Sequence, residues 1–180
     1  MTAHPSATAD VLVIGGGPAG SAAATQLAQR GHSVILVERD VLPRSDRFGA
    51  LLSPRSLAAL RQLDLGEHEP FHRVRHIRFT YASRSTSTGW PSHPDFPAYA
   101  SVAPRDVFDH RLLQAAESAG ATVFGGHLAT HPIIERGFAR GATVTAPDGT
   151  EFEARAAFTV VADGANSRFG RALGTSRRPT

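Results

Sequence analysis

Three glycines and one glutamate have the spacing of a nucleotide-binding turn. Gly15, Gly17 and Gly20 form a G-x-G-x-x-G motif, and Glu38 follows Gly15 by 23 residues. In such a motif the first glycine permits a tight turn, the second lets the backbone approach a pyrophosphate, and the third lets a helix pack closely on a strand. A glutamate at the end of the next strand can accept hydrogen bonds from the adenosine ribose hydroxyls. This unit predicts binding of FAD or NAD and does not choose between them.

The segments around the motif predict the strand–helix–strand unit that such a turn requires. Residues 10–14 (DVLVI) and 33–37 (SVILV) are short β-branched runs, which are typical of strands covered on both faces. Between them, residues 21–30 are strong helix formers, and Gly31 is expected to end the helix. The amino terminus of this helix would offer free N–H groups and roughly half a positive charge to phosphates.

Patterns farther along the chain predict additional helices and strands. Residues 41–53 and 83–97 are expected to be loops, and Ser53 is a candidate N-cap for a helix with Pro54 at its first position. Alternation over residues 73–81 predicts a half-exposed strand. The remaining expected elements are a strand at 99–102, a helix over 104–118, strands at 121–124, 128–135, 142–145, 152–154 and 157–161, a hairpin turn at Asp148-Gly149, and a short helix ending near Leu173.

Composition excludes several kinds of chemistry. The 180 residues contain no cysteine and all 19 basic residues are arginine, so disulfides, thiolate metal sites, cysteine nucleophiles and lysine Schiff bases are excluded. His68, His72 and His76 are spaced by four, but Pro70 and the alternation that follows argue against a helix, so no metal site is predicted. The net charge of +3 is spread along the chain, which predicts a solvated surface and no nucleic-acid partner.

Longer segments resemble known flavoproteins. The opening DVLVIGGGPAGSAAATQLAQRGHSVILVER resembles the p-hydroxybenzoate hydroxylase-type flavoproteins, and VVADGANSRFGRALG resembles a segment shared by that superfamily. Within the superfamily, LPRSDRFGALLSPRSLAALRQL and WPSHPDFPAYASVAPRDVFDHRLLQAAESAGATV resemble the geranylgeranyl reductase family. The resemblance covers nearly all of residues 9–179. It implies an α/β, Rossmann-type FAD-binding domain with a parallel sheet, covering helices and an additional antiparallel β element.

The resemblance also implies a contact for each candidate site residue, and all of these contacts are with FAD or with the nicotinamide nucleotide that reduces it. Gly15, Gly17 and Gly20 would hold the FAD pyrophosphate, Glu38 would bind the adenosine ribose, and Arg39 would lie beside the adenine. Arg105 would bind FAD near its pyrophosphate and ribityl chain, and Leu128 would contact the adenine through its backbone. Asp163 and Gly164 would line the pyrophosphate cleft and support the nicotinamide nucleotide. No catalytic residue is implied.

The sequence departs from the family pattern at two places. Where the family commonly has cysteine-glycine-aspartate beside the flavin ring, this chain has Phe48, Gly49 and Ala50, so that cysteine and that acid can have no role here. The family's second FAD motif, glycine-aspartate-alanine, has no counterpart, because the sequence contains no Gly-Asp pair. We therefore expect the N-terminal part of a longer flavoprotein, C-terminally incomplete. Its expected parts are a flexible N-terminus (1–8), an FAD-binding domain (9–174) that includes the start of a substrate-domain sheet around 73–102, and a polar tail (175–180).

The function that the resemblance implies is an oxidoreductase that passes hydride from NAD(P)H through FAD to isoprenoid double bonds. An FAD-dependent aromatic monooxygenase shares the same segments, and a non-catalytic dinucleotide-binding fragment is the alternative of another class. We expect a cytoplasmic chain whose substrate is a small molecule or an isoprenoid lipid. Membrane contact is expected only in the complete protein, because the sequence shows no basic amphipathic helix.

Overall fold

The structure, a computed structural model, describes residues 6–41, 49–65 and 71–175. Within these ranges the helices and strands are, in chain order, β1 (Ser6–Ile14), α1 (Pro18–Gln29), β2 (Val34–Glu38), β3 (Gly49–Leu52), α2 (Pro54–Arg61), β4 (His72–Val74), β5 (His76–Tyr81), β6 (Arg84–Gly89), β7 (Ala100–Pro104), α3 (Arg105–Ser118), β8 (Thr122–Gly125), β9 (Leu128–Glu135), β10 (Phe138–Thr145), β11 (Glu151–Val161) and α4 (Arg168–Ala172).

The chain divides into two compact units. The described residues up to 41 and from Asp109 onward form the first unit, and those from 49 to Phe108 form the second. The sheet of the first unit has the strand order β8-β2-β1-β11-β10-β9. Its strands β8, β2, β1 and β11 pair in parallel, whereas β10 pairs antiparallel with both β11 and β9. The predicted α/β class, with a parallel sheet and an added antiparallel part, is confirmed.

Both faces of the central strands of the first unit are covered, as the β-branched runs predicted. On one face Val13 packs with Ala24 of α1 and Leu113 of α3. On the other face Leu12 packs with residues of β10, β11 and α4, including Phe169. Because β1 lies between β2 and β11, the carboxyl ends of these three parallel strands meet at one edge of the sheet. Open α/β sheets bind their ligands at such an edge.

The second unit contains a small antiparallel sheet and a separate hairpin. The sheet has the order β3-β7-β4, and β5 pairs only with β6 among the strands that the structure describes. Helix α2 begins as predicted, because the side chain of Ser53 accepts a hydrogen bond of 3.2 Å from the N–H of Ser56. Leu57 and Leu60 on this helix are buried.

Several predicted boundaries were wrong. Strand β1 begins at Ser6, which pairs with Glu153, so residues 6–8 belong to a strand and not to a flexible N-terminus. Strands β3 and β6 lie where loops were predicted. Residues 151–161 form one strand and not two, because β1 pairs along nearly all of its length. The other predicted domain limits remain predictions, and residues 1–5 and 176–180 lie outside the described residues.

The histidines and the helices of the described ranges bear on metal binding and on membrane crossing. The single strand predicted over 73–81 was wrong, because this stretch is divided into β4 and β5, which belong to different sheets. His72 lies in β4 and His76 in β5, and His68 lies outside the described residues. Nowhere in those ranges do three or more potential metal-ligating side chains come together. No helix among the described residues combines the length and the apolar character that crossing a membrane requires.

Candidate functional site

The turn after β1 is held against two neighbouring strands. The N–H of Gly15 donates to the carbonyl of Val37 at 2.8 Å, and the N–H of Ala162 donates to the carbonyl of Ile14 at 2.8 Å. Gly15 has a φ of +101°, and a Cβ built on it would lie only 2.5 Å from the carbonyl oxygen of Ala162. Glycine is therefore required at position 15 by both the backbone conformation and the close approach of the chain after β11.

Gly20 and Gly17 are glycines for different reasons. A Cβ on Gly20 would overlap the carbonyl oxygen of Gly15 and would lie 3.3 Å from Cγ1 of Val13, so close packing of α1 on β1 requires glycine there. Gly17 has an ordinary φ of −77°, and a Cβ on it would meet no atom of the described residues within 4 Å. The protein's own packing therefore gives no reason for glycine at position 17. A group outside the chain that approaches this backbone would supply one.

The first turn of α1 is arranged to receive an anion. Its N-cap is Gly17, no side chain caps it, and its first turn contains no acidic residue. Pro18, at the start of the helix, lacks an N–H that would otherwise need a partner. The hydroxyl of Ser21 donates to the carbonyl of Gly16 at 3.2 Å, which fixes the turn to the helix. The partial positive charge of the helix terminus is thus not compensated by an acidic side chain in this turn.

The carboxylate of Glu38 connects the end of β2 to the glycine turn. Glu38 is buried, with 3% of its surface exposed. Its Oε2 accepts a hydrogen bond of 2.5 Å from the N–H of Gly16, and its Oε1 accepts one of 2.9 Å from the N–H of Asp40. The hydrogen bond between Glu38 and the glycine turn was not predicted from the sequence, because a motif does not reveal which backbone N–H faces a side chain.

Asp163 occupies the corresponding position after β11. Its Oδ2 accepts a hydrogen bond of 3.3 Å from the N–H of Phe169 near the start of α4. Its Oδ1 is buried and has no hydrogen-bond partner among the residues that the structure describes. The next residue, Gly164, has a φ of +91°, and a Cβ on it would meet nothing within 4 Å. A buried carboxylate oxygen without a partner is unusual, and it marks a place where a polar ligand group can donate a hydrogen bond.

The remaining candidate residues occupy less constrained positions. The side chain of Arg39 is 70% exposed beyond β2, and its Nε lies 3.5 Å from Oδ1 of Asp40. Leu128, the first residue of β9, is 46% exposed. Arg105 begins α3 in the second unit and is half-buried. Gly15, Gly17, Gly20, Glu38, Asp163 and Gly164 thus lie at the carboxyl ends of β1, β2 and β11, while the predicted FAD contacts of Arg39, Leu128 and Arg105 remain predictions.

His127 belongs to this edge and was missed by sequence reasoning. Its N–H donates to the carbonyl of Glu38 at 2.9 Å, and its Nδ1 lies 2.7 Å from the carbonyl of Gly125. Its ring contacts Phe124 and Phe152 edge-on, with ring centroids 5.3 and 6.1 Å apart. A carbonyl can only accept, so Nδ1 carries the proton. A single histidine after a strand offers no signal from which these contacts could have been predicted.

A family model described as "FAD binding domain" matches residues 8–180. The chain belongs to this family of FAD-binding domains. The resemblance to FAD-dependent oxidoreductases, geranylgeranyl reductases among them, is thereby confirmed, and FAD is the cofactor that the family binds.

Curated relatives of this FAD-binding domain include reductases and flavin-dependent halogenases. A menaquinone reductase of Mycobacterium tuberculosis is 39% identical over 170 residues, which is 93% of this chain and 40% of that protein. A digeranylgeranylglycerophospholipid reductase of Methanosarcina acetivorans is 33% identical over 173 residues, which is 94% of this chain and 42% of that protein. The chain therefore spans about two fifths of the length of these relatives.

Solved structures similar to this FAD-binding domain include other flavin enzymes. The myxobacterial chondrochloren halogenase CndH superposes with a TM-score of 0.83 at 32% identity, over 92% of this chain and 39% of that one. A geranylgeranyl bacteriochlorophyll reductase-like protein of Thermoplasma acidophilum superposes with a TM-score of 0.79 at 29% identity, over 95% of this chain and 43% of that one. The fold is therefore shared by reductases and halogenases.

The geometry of the glycine turn fits FAD. The open approach at Gly17 and the uncapped start of α1 suit a pyrophosphate, the buried carboxylate of Glu38 suits ribose hydroxyls, and the unpartnered Oδ1 of Asp163 suits a hydroxyl donor. At the departure from the family pattern, Gly49 and Ala50 lie in β3, and Phe48 lies outside the described residues.

Proposed function

We propose that this chain is the FAD-binding part of a reductase that passes hydride from NAD(P)H through FAD to a carbon–carbon double bond of an isoprenoid chain. The observation that supports cofactor binding is the glycine at position 17, which the fold does not need and an approaching pyrophosphate does. The choice of substrate is supported by the names of the curated relatives, which point to lipids that carry isoprenoid chains.

The residues of this chain bind and orient the cofactor, and the redox chemistry belongs to the flavin. Bound FAD would supply an acceptor for hydride from NAD(P)H and a donor of hydride to the double bond. The turn at Gly17 and the start of α1 hold the pyrophosphate, and Glu38 holds the ribose at the far end of β2. Asp163 accepts a hydrogen bond at the other side of the turn, so that three strand ends determine where the cofactor lies.

Cofactor choice is tested with the 180-residue chain itself. Flavin fluorescence quenching measures FAD affinity, and competition by NAD measures the affinity for the other dinucleotide. We expect FAD to bind more tightly than NAD. Tighter binding of NAD would contradict the proposal at its first step.

Reductase chemistry is tested in a chimera. Residues 8–175 of this chain replace the matching segment of the M. tuberculosis menaquinone reductase, and the hybrid is assayed with NADPH and menaquinone without oxygen. We expect a product that stays heavier by two hydrogen atoms after its quinone ring has been reoxidised in air, detected by mass spectrometry, and no such product from the same chimera carrying Gly17→Val. A chimera that binds FAD and oxidises NADPH but never saturates the lipid would contradict the isoprenoid substrate.

A second candidate function, a flavin-dependent monooxygenase or halogenase, is favoured by the close superposition on CndH. Those reactions consume molecular oxygen, whereas transfer of hydride to a double bond does not. The anaerobic assay therefore separates the two functions, since only the reductase forms product without oxygen.

A further inference from the structure

The turn between β8 and β9 is bound to the stretch of chain that contains Glu38. Strand β8 pairs in parallel with β2, and its last residue, Gly125, lies opposite Glu38. Beyond the paired strands, the N–H of His127 donates to the carbonyl of Glu38 at 2.9 Å, and the N–H of Gly126 donates to the carbonyl of Asp40 at 3.0 Å. The contact between these two stretches therefore continues past the ends of both strands.

The imidazole of His127 fixes the shape of this β8–β9 turn. Its Nδ1 lies 2.7 Å from the carbonyl oxygen of Gly125 and carries the proton, because a carbonyl can only accept. Gly126, between the two, is in the left-handed conformation with a φ of +71°. The rings of Phe124 and Phe152 contact the imidazole edge-on from other sides. The side-chain bond thus closes a loop around Gly126 and holds the backbone N–H groups of the turn in place.

Asp40 connects the β8–β9 turn to the carboxylate of Glu38. Its carbonyl accepts the hydrogen bond from Gly126, and its own N–H donates to Oε1 of Glu38 at 2.9 Å. The other oxygen of this buried carboxylate, Oε2, accepts from the N–H of Gly16. The carboxylate is therefore oriented from two sides, by the glycine turn at Oε2 and by the β8–β9 turn, through Asp40, at Oε1.

We propose that His127 is a positioning residue for the ribose of the bound dinucleotide. By holding the β8–β9 turn, its Nδ1–H keeps the Glu38 carboxylate in the orientation that accepts a hydrogen bond from a ribose hydroxyl. Hydrogen bonds weaken steeply as their angle departs from linearity, so a small rotation of the carboxylate is enough to lose most of this contact. The inference rests on the proposed ribose contact of Glu38, and every contact that carries it lies within the first unit.

A purely structural role for His127 predicts a different outcome. If the imidazole served only to pack against Phe124 and Phe152, another aromatic ring would replace it, and losing the ring would weaken all nucleotides alike. If its Nδ1–H positions Glu38, losing the proton donor should weaken only those nucleotides that offer a hydroxyl to the carboxylate. Substitutions that keep either the ring or the donor separate the two roles.

The test compares ADP with 2′-deoxy-ADP as competitors of FAD on the 180-residue chain, followed by recovery of flavin fluorescence. ADP contains the pyrophosphate and the adenosine ribose of FAD, and its deoxy form lacks only the 2′ hydroxyl. We expect the unchanged chain to bind ADP about tenfold more tightly, because a hydrogen bond to a charged acceptor contributes about this factor. Glu38→Ala removes the acceptor and should bring the ratio close to one.

Two substitutions of His127 divide its side chain into its parts. His127→Phe keeps an aromatic ring and removes the donor, and we expect ADP to bind about fivefold more weakly while 2′-deoxy-ADP is nearly unaffected, so that the ratio falls to about two. His127→Asn keeps an N–H donor near the position of Nδ1 and removes the ring, so the tenfold ratio should remain although the melting temperature falls. If His127→Phe does not fold, His127→Ala replaces it, because alanine differs from asparagine only in the amide.

The matched control is His131→Phe, which removes an exposed histidine of β9 and should keep the tenfold ratio. An unchanged ratio in His127→Phe, an equal loss of both nucleotides, or a lost ratio in His127→Asn would overturn the positioning role. No preference for ADP in the unchanged chain, or a preference that survives Glu38→Ala, would overturn the ribose contact of Glu38 and the inference with it. The lipid specificity of the reductase does not enter these measurements.

Discussion

Gly17 is the residue at which binding can be separated from folding. Its Cβ would meet open space and its φ is ordinary, so Gly17→Val should leave the melting temperature without FAD within about 2 °C of the original. The valine side chain would occupy the path of the pyrophosphate, and we expect FAD affinity to fall about 100-fold. Thermal unfolding and flavin fluorescence measure the two quantities separately.

Gly20→Ala is the matched comparison within the same turn. Alanine gains about 1 kcal/mol of helix propensity over glycine, but its Cβ would overlap the carbonyl oxygen of Gly15, and overpacking of this kind costs about 1–3 kcal/mol. We expect a lower melting temperature with or without FAD. If Gly17→Val destabilised the chain as much as Gly20→Ala does, the open space at Gly17 would be refuted.

Glu38 should matter to the empty fold as well as to the cofactor. In Glu38→Gln the side-chain amide keeps one acceptor oxygen, but its NH2 group is a donor. It therefore cannot accept the hydrogen bond from one of the two backbone N–H groups, of Gly16 or Asp40, that the carboxylate binds. Leaving a buried N–H unpaired costs about 1–3 kcal/mol, so we expect a melting temperature lower by several degrees and weaker FAD binding. Glu117→Gln, on an exposed part of α3, removes the same charge and should change neither quantity.

At the scale of elements, the middle of β1 is joined to the chain entering β2 by a hydrogen-bonded pair of side chains, Asp10 and Ser33. The N–H of Asp10 donates to Oγ of Ser33 at 2.8 Å, and the N–H and hydroxyl of Ser33 donate to Oδ2 of Asp10 at 2.8 and 2.7 Å. The hydroxyl of Ser33 foremost, followed by its N–H, holds the pKa of the Asp10 carboxyl below its ordinary value of 3.8.

The pH dependence follows from the direction of that shift. Because the pKa in the folded chain lies below the unfolded value, the pair stabilises the fold above about pH 3.8 and loses this effect as the pH falls toward the folded pKa. Asp10→Asn should therefore flatten the loss of stability in this acid range, measured by urea unfolding at a series of pH values. An acid profile identical to that of the unchanged chain would contradict the role of this pair.

Helices and strands whose side chains are buried, or whose ends carry a capping residue, could be predicted from the sequence. Strands that are held mainly by backbone pairing could not. The runs in β1 and β2 indicated strands because both faces are covered, and Ser53 with Pro54 indicated the start of α2. Strand β6 (RSTSTG) has no apolar side chain, so its pairing with β5 left no pattern to find. Within the site, the motif indicated Gly15 and Gly20, whereas the bonds of Glu38 and His127 depend on which loops meet in three dimensions.

For the whole molecule, FAD binding should raise the free energy of unfolding and should slow hydrogen exchange at the residues that contact the cofactor. At a free FAD concentration of 100 times Kd, binding adds about 2.7 kcal/mol, which raises the melting temperature by about 5–10 °C. Hydrogen exchange should slow at the glycine turn and at residues 163–170 and should stay unchanged in β5 and β6. The Gly17→Val chain is the control, and the same protection in that variant would contradict FAD binding at the turn.

The close approach of Gly15 to Ala162 has a consequence for the order of events during synthesis. The two residues are separated by about 150 positions, and at 5–20 residues per second the ribosome takes roughly 7–30 seconds to bridge them. Until β11 has emerged, β1 lacks the neighbour that closes one side of the turn, although the β1–α1–β2 unit can already form. A nascent chain can therefore complete its cofactor site only after β11 has been synthesised. Until then one edge of β1 is unpaired and can bind a chaperone or pair with a wrong strand.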